Sequence, residues 1–217
     1  MAVRPNVEAL AERTPRGQGE LLRGRLLDAG LAIVAERGDA SHVTIRAVTK
    51  GAGVSPTAFY LHFSSRDELV GALRGRGFED FRSVLADASA SGGDDPVARL
   101  REAGLAYVRF ARERPNVYAL IFSPLGPVDD EDPQALGGAG FASFMDLMGL
   151  VEAYLDHAGA EGADVQRLAI GIWTGLHGYV TLRYPSPSKK MDWPTDEEFA
   201  AGLAEAWLGP AVRGEDR

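Results

Sequence analysis

Thr44 and Arg46 stand together at the start of a short periodic run, IRAVTK, and the pairing points to one chemistry. Unpaired amides at a helix start and a guanidinium both bind oxyanions, phosphate above all. A few residues on, GAGVSPTAFYLHFSSRDEL crowds Ser55, Pro56, Thr57, Ala58, Tyr60, Leu61, His62 and Arg66 into one stretch of turns and caps. Phe59 and Phe63 are four apart and turn inward, which leaves Pro56, Thr57, Tyr60 and Leu61 outward. This is a chemistry of contact. Nothing in the chain suits turnover: the four histidines, His42, His62, His157 and His177, are scattered without H-E-x-x-H spacing, and no G-x-S-x-G elbow occurs. With no cysteine, thiol catalysis, disulfides and cysteine-ligated zinc are excluded together, and no metal or cofactor is expected. Gly75-Arg76-Gly77 lacks the preceding strand and third glycine of a phosphate loop.

The elements that position these residues are legible as helices. Residues 1–18, with Pro5, Pro15, Gly17 and three arginines, show no period and are expected to form a mobile arm. From Glu20 to Arg37, apolar residues recur at three- and four-residue steps until Gly38 ends the helix. Thr44 caps a second helix, Ile45 to Lys50, and Gly51 and Gly53 permit a turn of about three or four residues, the length of a helix-turn-helix. Ser55 caps a third helix, with Pro56 at its first position, where a missing amide costs nothing. That helix is predicted to reach about Phe63. Ser65-Arg66-Asp67-Glu68 reads as a capping box, Glu68 reaching back to the Ser65 amide, and opens a fourth helix to about Ala90.

Residues 20–69 resemble the DNA-binding domain of the TetR family of bacterial transcriptional regulators. The likeness rests on VTIRAVTKGAGVSPTAFYLHFSSRDELVGAL: a threonine-started second helix, A-x-x-x-G-V-S, an aromatic-Tyr-x-His-Phe run and a basic residue opening the fourth helix. The resemblance implies an all-α protein of about nine helices. Its N-terminal three-helix helix-turn-helix domain, residues 19–66, would join through the fourth helix to a larger ligand-binding and dimerisation bundle, residues 67–217. It implies that Tyr60 and His62 contact phosphate, that Arg66 fills a position commonly Lys, and that Thr57 and Ala58 lie where the family reaches base edges. Pro56 departs from the polar residue often found there, which shifts specificity toward shape readout and Arg46. A His62 that caps its own short helix and a merely solvated Arg46 fit the same residues.

The rest of the chain reads as helices without strands: Asp95-Pro96 to about Arg112, Asn116 to Phe122, Ala139 to His157, Ala163 to Arg183, and Thr195 to Leu208 with acid at its positive end. Ser123 to Pro133 and Tyr184 to Pro194 read as proline-rich connections. IGIWTGLHGYVTL resembles the Trp-x-x-x-His-Gly signature of one C-terminal subclass of the family, and RPNVYALIFS resembles that subclass's sixth helix. Gly171, Gly175 and Gly178 each cost about 1 kcal/mol of helix propensity relative to alanine, so close approach of another helix, at a subunit interface, is the expected compensation. Tyr107, Phe110, Tyr118, Phe122, Met145, Met148, Trp173 and His177 combine aromatics, adaptable methionines and one polar tip. That combination suits a mostly apolar cavity for a small organic molecule, and equally a packed core.

Charge divides along the chain. Residues 1–76 carry 11 Lys+Arg against 8 Asp+Glu, whereas residues 77–217 carry 12 against 23, for a net −8. A mildly basic head suits phosphate, and an acidic body does not. No apolar run approaches a membrane span and no signal-peptide core precedes the first helix, so a cytoplasmic protein is expected. The expected partners are a palindromic double-stranded operator, a small organic inducer and a second copy of the chain joined through the C-terminal helices. The other reading is a helical ligand-sensing or interaction protein without operator binding.

Overall fold

The computed structural model describes residues 18–123, 138–184 and 191–213. Among them are nine α-helices, one 3-10 turn and no strand: α1 (Gln18–Arg37), the 3-10 turn (Ala40–His42), α2 (Ile45–Ala52), α3 (Pro56–Phe59), α4 (Arg66–Ala90), α5 (Pro96–Glu113), α6 (Pro115–Phe122), α7 (Ala139–Ala158), α8 (Val165–Arg183) and α9 (Asp196–Arg213). Residues 1–17 of the predicted arm, nearly all of the acidic loop after Ser123 and most of the connection after Tyr184 lie outside the described residues, while Gln18, the arm's last residue, begins α1. None of the described helices is long and apolar enough to cross a membrane.

The chain divides into two compact units. The first comprises the described residues to Gly77 together with Asn116–Ser123, and the second the described residues of 78–115 and of 124–217. The division falls within α4, eleven residues beyond the expected boundary at Arg66, and α6 counts with the first unit.

In the first unit, Leu26, Leu27, Val34, Val43, Val48, Ala52, Phe59, Phe63, Leu69, Leu73 and Leu120 form one buried core. Gly30 lets α1 and α4 approach closely: a β-carbon on it would lie 2.7 Å from a Leu73 methyl, so any larger residue there would force the buried Leu73 side chain to move. The caps follow the sequence reading. Thr44 Oγ1 accepts the Ala47 amide at 3.1 Å and Ser55 Oγ accepts the Ala58 amide at 3.2 Å. Two details differ. Gly51 lies inside α2, its missing β-carbon 3.2 Å from the Ala29 methyl, and Gly53 alone takes the left-handed conformation, φ +67°. At the next box, Ser65 Oγ accepts the Glu68 amide at 3.1 Å, but the Glu68 carboxylate accepts from Ser64, not Ser65, at 2.6 Å from both amide and hydroxyl. The Asn116 amide donates to the Ala35 carbonyl at 2.8 Å and Arg74 to the Ile121 carbonyl at 3.1 Å, which fixes α6 within this unit.

In the second unit, Phe81, buried on α4, meets Tyr107 and Phe110 of α5 edge-on with ring centres 5.2 and 5.1 Å apart, the preferred geometry for aromatic quadrupoles. Asp95 and Asp164 cap α5 and α8. A full capping box opens α9: Thr195 Oγ1 accepts the Glu198 amide at 3.1 Å and Glu198 accepts the Thr195 amide at 2.8 Å. This helix runs five residues past the predicted end, through Pro210. The glycines of α8 find their close neighbour inside the chain: β-carbons on Gly171 and Gly175 would lie 2.4 Å from the Trp207 ring and a Leu203 methyl of α9, while Gly178 faces open space. The predicted subunit contact is therefore, for two of the three, an α8–α9 contact.

Candidate functional site

The first unit gathers the outward residues on consecutive short elements. Thr44, Arg46, Ser55, Pro56, Thr57, Tyr60 and Leu61 are all exposed, and Ala58 and His62 are half-buried. The face is held from beneath: Phe59 and Phe63 are buried with ring centres 5.5 Å apart, and the Tyr60 ring stands edge-on to Phe59 at 5.4 Å. Core packing thus orients Tyr60 although more than half of it is in solvent. The helix carrying these residues stops at Phe59, four residues short of the prediction, and Tyr60 to His62 continue as a turn with the His62 amide bonded to the Phe59 carbonyl at 2.9 Å. Alternation between capping and apolar residues foretold the start but not the stop, because the turn reuses near-helical backbone angles, φ −69° and ψ −7° at Tyr60.

At the head of α2 the Ile45 and Arg46 amides lie ahead of the first intrahelical acceptor, which leaves them able to donate to an oxyanion. Burial, with the nearby Arg23 charge adding to it, pushes the His62 imidazole below its ordinary value and favours the neutral ring. A neutral imidazole still donates one hydrogen bond. Arg66 differs most from expectation. Its Nε donates to the Val43 carbonyl at 2.8 Å, one Nη donates to the Ala40 carbonyl, and the other meets Asp67 at 3.2 Å. Arg25, which sequence reasoning passed over, donates to the Ala52 carbonyl. Partners 23 to 27 residues distant leave no local signal.

The eight cavity candidates separate. Tyr118 and Phe122 fall in the first unit, with ring centres 4.7 Å apart; the other six are in the second. Tyr107 and His177 do come together, hydroxyl to Nδ1 at 3.3 Å, beside the Phe81–Phe110 cluster. Burial pushes the His177 pKa down. Met145 and Trp173 are 47% and 37% exposed, so neither is enclosed by its own chain; Trp173 lies 5.8 Å from Phe144. Phe81 is the residue that sequence reasoning missed, one fully buried aromatic in a long charged helix.

Comparison with known proteins agrees with both units. Residues 26–73 match the family model described as bacterial regulatory proteins, tetR family, and residues 100–206 match one described as tetracyclin repressor-like, C-terminal domain. The Trp-x-x-x-His-Gly subclass is not named by either description. An uncharacterized HTH-type transcriptional regulator, Rv0681, of Mycobacterium tuberculosis is 28% identical over 208 residues, 92% of this chain and 89% of that protein. The HTH-type transcriptional repressor KstR2 of the same species is 42% identical over 65 residues, 30% of this chain and 32% of its own. Among solved structures, the regulator FadR of Bacillus subtilis, in complex with stearoyl-CoA, shares the fold with a TM-score of 0.65 at 16% identity, over 88% of this chain and 97% of that one.

Proposed function

The chain belongs to the TetR family of bacterial regulatory proteins, which are ligand-responsive DNA-binding regulators and not enzymes, and from that premise we propose that it is a repressor binding a palindromic operator as a dimer. One observation carries the DNA-facing assignment: Thr44, Arg46, Pro56, Thr57, Tyr60 and Leu61 are exposed together above a buried Phe59–Phe63 pair. The amides at the head of α2, with Arg46, Tyr60 and His62, take phosphate, and the start of α3, Ser55 to Ala58, meets base edges. Operator binding is expected to weaken linearly in log K against log salt, by about 0.9 per neutralised phosphate, with two chains per duplex. Tyr60→Phe should weaken all duplexes alike, since phosphate contacts position without specifying. Fluorescence anisotropy across a salt series measures both; specific binding indifferent to salt, or a Tyr60→Phe protein with altered base preference and unchanged affinity, would contradict the reading.

The effector site in this reading lies in the second unit, around Tyr107, Phe110, Met148 and His177, where one hydrogen-bonding pair stands among aromatic rings. FadR of Bacillus subtilis, with its bound stearoyl-CoA, supports an organic ligand in such a fold without naming this one. The exposed apolar residues Phe141 and Met145 of α7, with Ile170 and Trp173 of α8, lie outside that site and suit the dimer surface. His177→Ala should blunt operator release by the inducer and leave operator affinity near wild type. Release is titrated with small organic molecules chosen as substrates or products of enzymes encoded by neighbouring genes; an unchanged response in a folded dimer removes His177 from the site.

A further inference from the structure

Two arginines of the basic head direct guanidinium donors to the protein's own backbone although both remain partly in solvent, and both end on carbonyls that belong to or precede α2. Arg66, at the start of α4, donates to the carbonyls of Ala40 and Val43. Val43 is fully buried, and its carbonyl is part of the peptide that leads into Thr44, the N-cap of α2. Ala40 O already accepts the Val43 amide at 3.1 Å, so Arg66 closes the 3-10 turn from outside and fixes the plane of the last peptide before the cap. At the other end, Arg25 of α1 donates to Ala52, the last residue of α2. Its guanidinium reaches that carbonyl beside Gly53, where a β-carbon would already stand 3.4 Å from Arg25 Nη2.

We propose that Arg25 and Arg66 are positioning residues that clamp the two ends of α2, and that neither neutralises an operator phosphate. The physical case is the mismatch between α2 and its task. An eight-residue helix is too short to be stable by itself. It buries only Val48, Thr49 and Ala52, yet its first amides must hold a fixed direction for an oxyanion to find them. A planar guanidinium holds two carbonyls with donors in fixed directions, whereas the rotatable donors of an ammonium fix no such direction. Arginine at position 66 therefore does what lysine would not.

The inference rests on the DNA-binding reading, and its test separates the two. Full-length wild type is used to recover a duplex from a random-sequence pool, and anisotropy across a salt series then gives affinity and salt slope for Arg66→Ala, Arg66→Lys, Arg25→Ala and, as the phosphate-binding control, Arg46→Ala. The control should lower the steepness of the slope by about one for each phosphate that is no longer neutralised. Arg66→Ala and Arg66→Lys should weaken binding by about tenfold or more with the wild-type slope retained, because the site is misaligned while the number of ions released is the same. A slope reduced by about one in Arg66→Ala, or wild-type affinity in Arg66→Lys, overturns the clamp. Hydrogen exchange without DNA tests the clamp independently: amides 44–54 should exchange faster in the Arg66 and Arg25 variants while α1 and the middle of α4 keep their protection. Unchanged exchange there also overturns it. If wild type recovers no duplex, the DNA-binding reading fails, and the exchange experiment still decides whether α2 is clamped.

Discussion

Phe59→Ala should cost the first unit about 3–5 kcal/mol and abolish operator binding. The side chain is fully buried and touches two other rings, Phe63 and Tyr60. Its removal leaves a cavity beneath the only turn of α3, where four residues offer no second apolar anchor with which to collapse. The edge-on support of Tyr60 disappears with it. Loss is thus expected twice over, in the melting of the unit and in binding under conditions where the variant is still folded. Phe59→Leu conserves most of the volume and should cost less than about 1.5 kcal/mol, yet it removes the aromatic edge that orients Tyr60. Chemical denaturation followed by anisotropy distinguishes the contributions. A Phe59→Ala protein with wild-type stability would show that α3 does not depend on this ring.

The second large effect is expected at Asp196. Its Oδ1 accepts from the Tyr184 hydroxyl at 2.5 Å and, at 3.1 Å, shares the Tyr179 hydroxyl proton with the Pro194 carbonyl at 2.9 Å, and its Oδ2 accepts from Arg112 at 2.8 Å. This carboxylate, 18% exposed, ties the end of α8 and the end of α5 to the first residue of α9. Asp196→Ala removes the charged acceptor from the Tyr184 phenol, one of two acceptors from Tyr179 and the counter-charge from one guanidinium, and should cost about 2–4 kcal/mol. Arg112 remains half in solvent, which keeps the figure below that for a fully enclosed pair. The same hub sets a pH dependence. Burial first, and then Asp196, hold the Tyr184 hydroxyl protonated well above the ordinary tyrosine value. The unfolded chain gives up that proton near pH 10 and the folded chain keeps it, so the stabilisation is complete below about pH 10 and is lost as pH rises above it. Melts from neutral to strongly alkaline pH should show that decline in wild type and a flatter profile in Tyr184→Phe. Equal profiles would take Tyr184 out of the alkaline transition.

How much of this was legible in the sequence depended on how far the relevant partner lay along the chain. Caps act over three residues, and Thr44, Ser55 and Asp95 could be read from residue type alone, whereas the helix expected from Ala163 begins at Val165 behind an Asp164 cap that sequence reasoning passed over. The overall plan, nine helices among the described residues with a helix-turn-helix first, followed from period and punctuation. What depended on distant neighbours did not. Gly171 and Gly175 announced that a helix must come close, but nothing in their spacing could say whether that helix was α9 of the same chain or a helix of a second copy. Trp173 and Met145 have the residue types of a cavity wall, and only the placement of α7 and α8 turns them outward. Tyr118 and Phe122 belong with the first unit because α6 is fixed there by Asn116 and Arg74, bonds that span 81 and 47 residues.

The brevity of α3 has a consequence for how such a protein changes over generations. Pro56, Thr57 and Leu61 are exposed, and the fold leans on Phe59 and the Ser55 cap instead. If α3 meets base edges as proposed, substituting the outward residues at its start, with Leu61 beside them, would change operator preference without drawing on the stability of the unit. Operator preference can therefore drift, or be redirected by a library confined to positions 56, 57 and 61, while the selection for a folded chain acts elsewhere. A duplicated copy of the gene could acquire a new binding site in a few steps, each passing through a protein that still folds.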